Sequence, residues 1–180
     1  MSKEVVFLEK IMFKYLPEYF PTKKIRDFAL KNPKVYNIEH LTELALAKFG
    51  AYEFVDEDGY DFTDFSDSKT ATVAVYDNCC AIGSVENKIG AIRLCVYNPY
   101  HNDVDFFFIP HHAVRRIKEP AHGKTKHKER MRSSYNVMLN RYSKFEPYRL
   151  NTFIELATAI DDYVPDLEPK IEPAFELLFS

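Results

Sequence analysis

The apolar pattern of the sequence changes its period near residue 50, and this change limits the fold more than any other feature. Up to that point apolar side chains recur at helical spacing, whereas residues 51–112 contain short β-branched and aromatic runs. From residue 113 onward the sequence is basic and returns to helical patterns. Helices, then mainly antiparallel strands, then helices predict an α+β fold. We expect one domain of 180 residues in which helices flank a central mixed β-sheet.

Local signals place the individual elements. Asn37 is a suitable N-cap for a helix that ends at Gly50. Asp58-Gly59 predicts a tight turn between two strands within residues 52–62. Further strands are predicted over residues 69–76, 89–98 and 103–110, and further helices over residues 134–145 and 151–164.

Composition favours an intracellular, cytoplasmic protein. No apolar run approaches the roughly 18–20 residues of a membrane span, and MSKEVVFLEK has acids where a secretory signal would not. The cysteines are Cys79, Cys80 and Cys95, which have neither a disulfide framework nor a zinc-binding spacing. We therefore expect reduced cysteines and no association with a membrane.

Charge is separated along the chain. Residues 51–68 contain seven acids and no Lys or Arg, whereas residues 113–149 contain eleven Lys or Arg against three Glu. An acidic cluster and a basic segment in one small domain indicate that one part binds cations and the other a polyanion.

The stretch GYDFTDFSDSK (59–69) concentrates the acids at Asp61, Asp64 and Asp67, followed by Lys69. It is either a solvated acidic turn or a metal site, because neighbouring carboxylates repel each other unless a cation lies among them. In an extended strand Asp61, Asp67 and Lys69 would point to one side and Asp64 to the other. A bend near residues 63–66 would instead fold Asp61 and Asp67 toward each other, and Asp64 replaces Asp61 as a ligand if the strand begins later.

Asp61…Asp67-Ser68-Lys69 resembles the PD-(D/E)xK signature of the restriction-endonuclease-like nucleases. The pattern is a first Asp, then an acid, any residue and a Lys, and it leads into an apolar strand. Tyr60 stands where the signature has Pro. Glu43, on the helix before the strands, lies where many members carry an additional acid. The resemblance covers approximately residues 37–110 in outline.

This resemblance implies a restriction-endonuclease-like core and a site for Mg²⁺, with Mn²⁺ as a substitute. Asp61, Asp67 and the backbone carbonyl of Ser68 would be the metal ligands, and Glu43 would be an outer-shell or second-metal group. Lys69 would contact the attacking water and the scissile phosphate. The implied activity is cleavage of double-stranded DNA by a type II restriction endonuclease, which acts as a homodimer on a palindromic site.

The basic segment is the predicted DNA-binding surface, and the alternative is a solvated loop. Lysines there would contact phosphates, and arginines could also make bidentate contacts to guanine. The candidates are Arg115, Arg116, Lys124, Lys126, Lys128, Arg130, Arg132 and Arg141.

Three other interpretations of the chain remain open. It could be a nucleic-acid-binding module without catalysis, or an interaction protein whose acidic face contacts a protein partner. The third is an HNH-type nuclease that uses the late histidines, which are His101, His111, His112, His122 and His127, together with Asn102.

Overall fold

A mixed four-stranded β-sheet lies at the centre of the fold, in a computed structural model that describes residues 1–73, 79–82, 87–117, 133–136 and 146–165. The strands in these residues are β1 (Phe54–Glu57), β2 (Tyr60–Phe62), β3 (Asp67–Thr72), β4 (Cys79–Ile82), β5 (Ile92–Asn98), β6 (Asp103–Ile109), β7 (Ser133–Asn136) and β8 (Arg149–Leu150). The central sheet has the order β3-β5-β6-β8. In it β5 is parallel to β3 and antiparallel to β6, which is antiparallel to β8. Two antiparallel pairs, β1 with β2 and β4 with β7, form separate two-stranded sheets.

Helices form most of the first 50 residues and a smaller part of the remainder. They are α1 (Lys3–Phe7), α2 (Phe13–Tyr15), α3 (Lys23–Lys31), α4 (Ile38–Phe49), α5 (His111–Ile117) and α6 (Phe153–Thr158). A π-helical turn, Leu8–Met12, joins α1 to α2, and short 3₁₀ turns span Pro17–Tyr19, Pro33–Val35 and Glu146–Tyr148. The caps are Ser2, Thr22, Asn37 and Thr152, whose side-chain oxygens each accept a backbone N–H three residues later. The α+β fold and the Asn37 cap are thereby confirmed.

No helix in the described part of the chain is long and apolar enough to cross a membrane.

The two faces of the central sheet pack against different layers. On one face Cys95 and Tyr97 contribute to a core with the N-terminal helices, α4 and α6. On the other face Leu94 and Val96 contribute to a second core with α5. Lys69 pairs with Leu94 in the neighbouring strand, so Lys69 lies on the α5 face. Because strand residues alternate between faces, Asp67 lies on that face too, and Ser68 lies on the opposite face, toward the N-terminal helices.

The hairpins agree with the local sequence signals. β1 and β2 pair around Asp58-Gly59, and β5 and β6 form the second hairpin. β3 begins at Asp67, two residues before the predicted strand. The sheet is less antiparallel than the sequence suggested, because β3 pairs in parallel with β5.

The C-terminal part, predicted to be helical over residues 113–180, contains strands as well. Ser133–Asn136 overlaps the start of the predicted helix 134–145 but forms β7, because its backbone pairs with β4. β8 adds an edge strand to β6. The last predicted helix, 151–164, ends at Thr158, where the Arg93 guanidinium donates hydrogen bonds to backbone carbonyls at the helix end.

Candidate active site

A bend between β2 and β3 brings Asp61 and Asp67 together. Phe65 adopts a left-handed conformation with φ of 68°, and the Ser66 carbonyl accepts hydrogen bonds from the N–H groups of Asp61 and Phe62. Asp61 Oδ2 accepts a hydrogen bond from the Ser68 N–H at 2.8 Å, which links the Asp61 carboxylate to the backbone at the start of β3. The sequence left two geometries open, an extended strand and a bend near residues 63–66, and the structure has the bend.

Asp67 is the buried centre of the cluster. Its side chain is only 2% exposed, and its backbone N–H donates to the Ala91 carbonyl at 2.9 Å. Lys88 Nζ lies 3.0 Å from Asp67 Oδ1, and Lys69 Nζ lies 3.6 Å from Oδ2. Asp67 and Lys69 therefore share one side of β3, as the two-residue spacing predicts.

Burial makes Asp67 a difficult group to ionise. Burial is the main cause that raises the pKa of Asp67 to about 7, and hydrogen bonding with the Asp61 carboxyl and the charge of Asp61 act in the same direction. The positive charges of Lys69 and Lys88 lower this pKa and so oppose the shift. Two neighbouring carboxylates share a proton more readily than they ionise together. A cation that bound both would remove this conflict.

Glu43 lies at the edge of the same cluster. It is on α4, and its pKa is raised by burial first and then by the charge of Asp61. His40, one turn earlier on α4, opposes this shift, with Nδ1 lying 3.4 Å from Glu43 Oε2. The structure therefore brings Asp61 together with Asp67 and Lys69, and it places Glu43 close to Asp61.

The donor atoms at Asp67 fit a hard divalent cation. Asp67 Oδ2 is buried and accepts no hydrogen bond, although Lys69 Nζ lies 3.6 Å from it. A buried carboxylate oxygen with an ion pair but no hydrogen bond is costly in a protein interior, and it is a suitable ligand for Mg²⁺. Among the described residues no group of three or more His, Cys, Asp or Glu side chains is arranged to hold a metal. Mg²⁺ usually retains several waters, so two carboxylates and a backbone carbonyl are sufficient.

Asp64 has a different role from its two neighbours. Its Oδ2 pairs with Arg93 Nη2 at 2.8 Å, and its Oδ1 accepts hydrogen bonds from the Ser66 N–H and hydroxyl. Arg93 is 1% exposed and lies over the Tyr52 ring, 4.3 Å from its centroid. Asp64 is therefore the counter-ion of a buried arginine, and this engagement favours Asp61 over Asp64 as the partner of Asp67.

Lys88 is the site residue that the sequence did not indicate. Lys88 lies too far along the sequence from the Asp61–Lys69 motif for the spacing of residues to indicate it. The signal lies in the sheet, because parallel pairing places the first residue of β5, Ile92, opposite Asp67. Residues that lead into β5 therefore lie beside the acids.

α5 starts at the same end of the sheet as the acidic cluster. Asp67 pairs with Ile92, and Ile92 pairs with Ile109, the last residue of β6. Since neighbouring strands lie about 4.8 Å apart, the Cα atoms of Asp67 and Ile109 are separated by about 10 Å. Arg115 and Arg116 lie within α5. The other predicted DNA contacts, Lys124, Lys126, Lys128, Arg130, Arg132 and Arg141, lie outside the described residues.

The histidines of the HNH-type interpretation that lie within the described residues do not converge. His101 and Asn102 form the turn before β6, whereas His111 and His112 begin α5 after it. The seven residues of β6 separate these pairs by about 24 Å, too far for one metal. His122 and His127 lie outside the described residues.

Comparisons of the chain with protein-family models, with curated proteins and with solved structures found no match.

The raised pKa of Asp67 predicts how stability depends on pH in the metal-free protein. The carboxyl has an ordinary value of 3.8 and a folded value of about 7, so the folded state retains a proton that the unfolded chain releases. The contribution of Asp67 to the free energy of unfolding is fully present below about pH 4 and is lost as the pH rises to about 7. At about 1.36 kcal/mol per unit, the loss is on the order of 4 kcal/mol.

Comparison with Asp67→Asn isolates this contribution. Urea unfolding in a chelator should show the free energy of unfolding of Asp67→Asn rising relative to wild type by up to about 4 kcal/mol between about pH 4 and pH 8. Parallel profiles for the two proteins would show that Asp67 ionises normally in the folded protein.

Proposed function

We propose that this protein is a Mg²⁺-dependent endonuclease that hydrolyses DNA phosphodiester bonds and has a restriction-endonuclease-like core of the PD-(D/E)xK type. The observation that carries the proposal is the buried Asp67 carboxylate, with an oxygen that accepts no hydrogen bond, Asp61 beside it and Lys69 on the same side of β3. A buried carboxylate with a strongly raised pKa is expensive for stability, and such groups concentrate at functional sites.

Asp61, Asp67 and the Ser68 carbonyl would hold the metal. A bound Mg²⁺ supplies positive charge to the phosphate and lowers the pKa of a coordinated water. Asp61 is oriented for this role, because the Ser68 N–H fixes one of its oxygens. Glu43 would act in the outer shell or at a second metal, and the pKa of its carboxyl is raised by burial first and then by the charge of Asp61.

Lys69 would stabilise negative charge that develops on the phosphate and orient the attacking water. Its Nζ is 3.6 Å from Asp67, and its side chain is 22% exposed, so it reaches both the carboxylate and the solvent side of the site. A cation that faces the reacting phosphate contributes more in the transition state than in the ground state.

The substrate in this proposal is double-stranded DNA. α5 carries two arginines and begins near the acids, and the basic segment that follows it supplies further positive charge. Cutting both strands with one site per chain favours a homodimer on a palindromic sequence, as in a type II restriction enzyme. The protein would then act in the cytoplasm, in the same compartment as its DNA substrate.

Plasmid digestion tests the proposal. Purified protein should convert unmodified supercoiled plasmid to discrete fragments with Mg²⁺ and leave it intact with a chelator. Lys10→Ala, which changes an exposed lysine of the N-terminal helical region, is a control that should cut normally. DNA binding without Mg²⁺-dependent cutting would favour a non-catalytic binding module, and absence of both would reject the nuclease.

The basic segment gives a separate prediction. Neutralising Lys124, Lys126 and Lys128 together should weaken DNA binding for all sequences and flatten its salt dependence, because each lysine that contacts a phosphate releases a counterion. Fluorescence anisotropy in Ca²⁺ at several salt concentrations measures this slope. A slope equal to that of wild type would remove these lysines from the interface.

A further inference from the structure

Lys88, rather than the lysine of the motif, makes the shorter ion pair with Asp67. The Lys88 Nζ–Asp67 Oδ1 distance is 3.0 Å, compared with 3.6 Å from Lys69 Nζ to Oδ2. The Lys88 side chain is 12% exposed and that of Lys69 is 22% exposed. Lys88 is thus the more deeply placed of the two cations.

The backbone around Lys88 is held firmly against the acidic turns. A Cβ on Gly90 would lie 2.2 Å from the Phe65 carbonyl oxygen, so the chain passes the β2–β3 bend at a distance that only glycine permits. Three hydrogen bonds flank Lys88: Asn87 Nδ2 to Asp58 Oδ1 at 3.2 Å, Ile89 N to Gly59 O at 3.4 Å, and Asp67 N to Ala91 O at 2.9 Å. The chain next to Lys88 is thus tied to the β1–β2 turn and the β2–β3 bend, and Lys88 reaches Asp67 through its long side chain.

A divalent cation at Asp67 would compete with Lys88 for the same carboxylate. A second strong positive charge within a few ångströms of Nζ weakens the lysine's hold on Asp67. A partly buried ammonium whose pairing with Asp67 is weakened is stabilised by a further anion that comes within its reach. In a DNA complex a backbone phosphate would be such an anion.

We propose that Lys88 exchanges partners, from Asp67 in the metal-free protein to a DNA phosphate once a divalent cation binds Asp67. This inference rests on the proposed function. It makes Lys88 a phosphate-binding residue whose availability depends on the metal. Lys69 remains on the same side of β3 before and after this exchange.

Binding measurements on Lys88→Met test the exchange without relying on cleavage. DNA affinity should differ from wild type by less than about twofold in a chelator, because Lys88 is then paired with Asp67. In Ca²⁺, which occupies oxygen sites of this kind, affinity should fall by about tenfold or more. Lys88→Arg should retain binding in both conditions, and Lys10→Met is the matched control for loss of one positive charge.

Calorimetry with Ca²⁺ alone, at a pH near 9 where Asp67 is ionised, provides a second readout. Removing the competing ammonium should tighten Ca²⁺ binding by about fivefold or more in Lys88→Met. If the proposed function is wrong, wild type neither binds nor cuts DNA, and the calorimetric comparison still tests the competition. Equal losses of DNA affinity with and without Ca²⁺, or unchanged or absent Ca²⁺ binding, would overturn the exchange. Lys88→Gln replaces the Met variant if that variant does not fold.

Discussion

Replacing Lys69 with alanine is expected to slow DNA cleavage by at least about a hundredfold, or roughly 3 kcal/mol in the activation free energy. Lys69 lies on the same side of β3 as Asp67, with its Nζ 3.6 Å from the carboxylate, where it can also reach a phosphate oxygen. Its charge would act mainly on the transition state. Single-turnover cleavage in Mg²⁺ measures the loss.

DNA affinity in Ca²⁺ distinguishes the possible roles of Lys69. It should change little in Lys69→Ala, because the charge of Lys69 is proposed to act mainly on the transition state and not on the bound DNA. Lys10→Ala controls for loss of a surface charge, and circular dichroism controls for folding. Cleavage at the wild-type rate would reject Lys69 as a catalytic residue. Equal losses of binding and cleavage would make it a phosphate anchor instead.

Asp67→Asn should have the largest effect of all, a loss of at least about a thousandfold in cleavage rate, or about 4 kcal/mol. The amide has the shape of the carboxyl but lacks the charge that a divalent cation requires. Because Asp67 is 2% exposed and its raised pKa marks an unfavourable charge, the variant should fold. Calorimetry should show that its Mg²⁺ binding is lost together with cleavage.

Asp64→Asn is the matched control for Asp67→Asn. It removes a carboxylate from the same turn but leaves the Arg93 guanidinium, 1% exposed, without its counter-ion. We expect it to lower the free energy of unfolding by about 2 kcal/mol or more. The protein that remains folded should still bind Mg²⁺. If Asp64→Asn loses metal binding and Asp67→Asn retains it, the ligands have been assigned to the wrong aspartates.

Sequence reasoning succeeded where neighbours in the chain determine the structure. Asn37 caps α4 because its side chain accepts an N–H three residues away, and Asp58-Gly59 closes a hairpin within its own stretch. The proximity of Asp67 and Lys69 follows from strand alternation alone. Each of these features depends on only a few consecutive residues.

Contacts between distant segments were not predictable in the same way. β7 pairs with β4 across more than fifty residues, and its own sequence also suits a helix. Lys88 approaches Asp67 only because β3 and β5 are parallel. Arg93 is buried because carbonyls at the end of α6 and Asp64, all distant in the sequence, satisfy its donors. In all three cases tertiary pairing determines the outcome rather than local preference.

The distinction between the three aspartates shows where the sequence signal ends. The spacing of Asp61, Asp64 and Asp67 left more than one geometry open, and an extended strand would have placed Asp64 alone on one face. The bend at Phe65 instead turns Asp64 toward Arg93 and Asp61 toward Asp67. One left-handed residue therefore determines which two acids form the candidate site.

Diffraction from crystals soaked in Mn²⁺ shows whether Asp61 and Asp67 together bind a divalent cation. We expect an anomalous peak between the two carboxylates, about 2.0–2.6 Å from an oxygen of each, and no such peak in Asp67→Asn. Well-ordered Asp61 and Asp67 with no peak between them, or a peak bound elsewhere in the protein, would contradict this expectation.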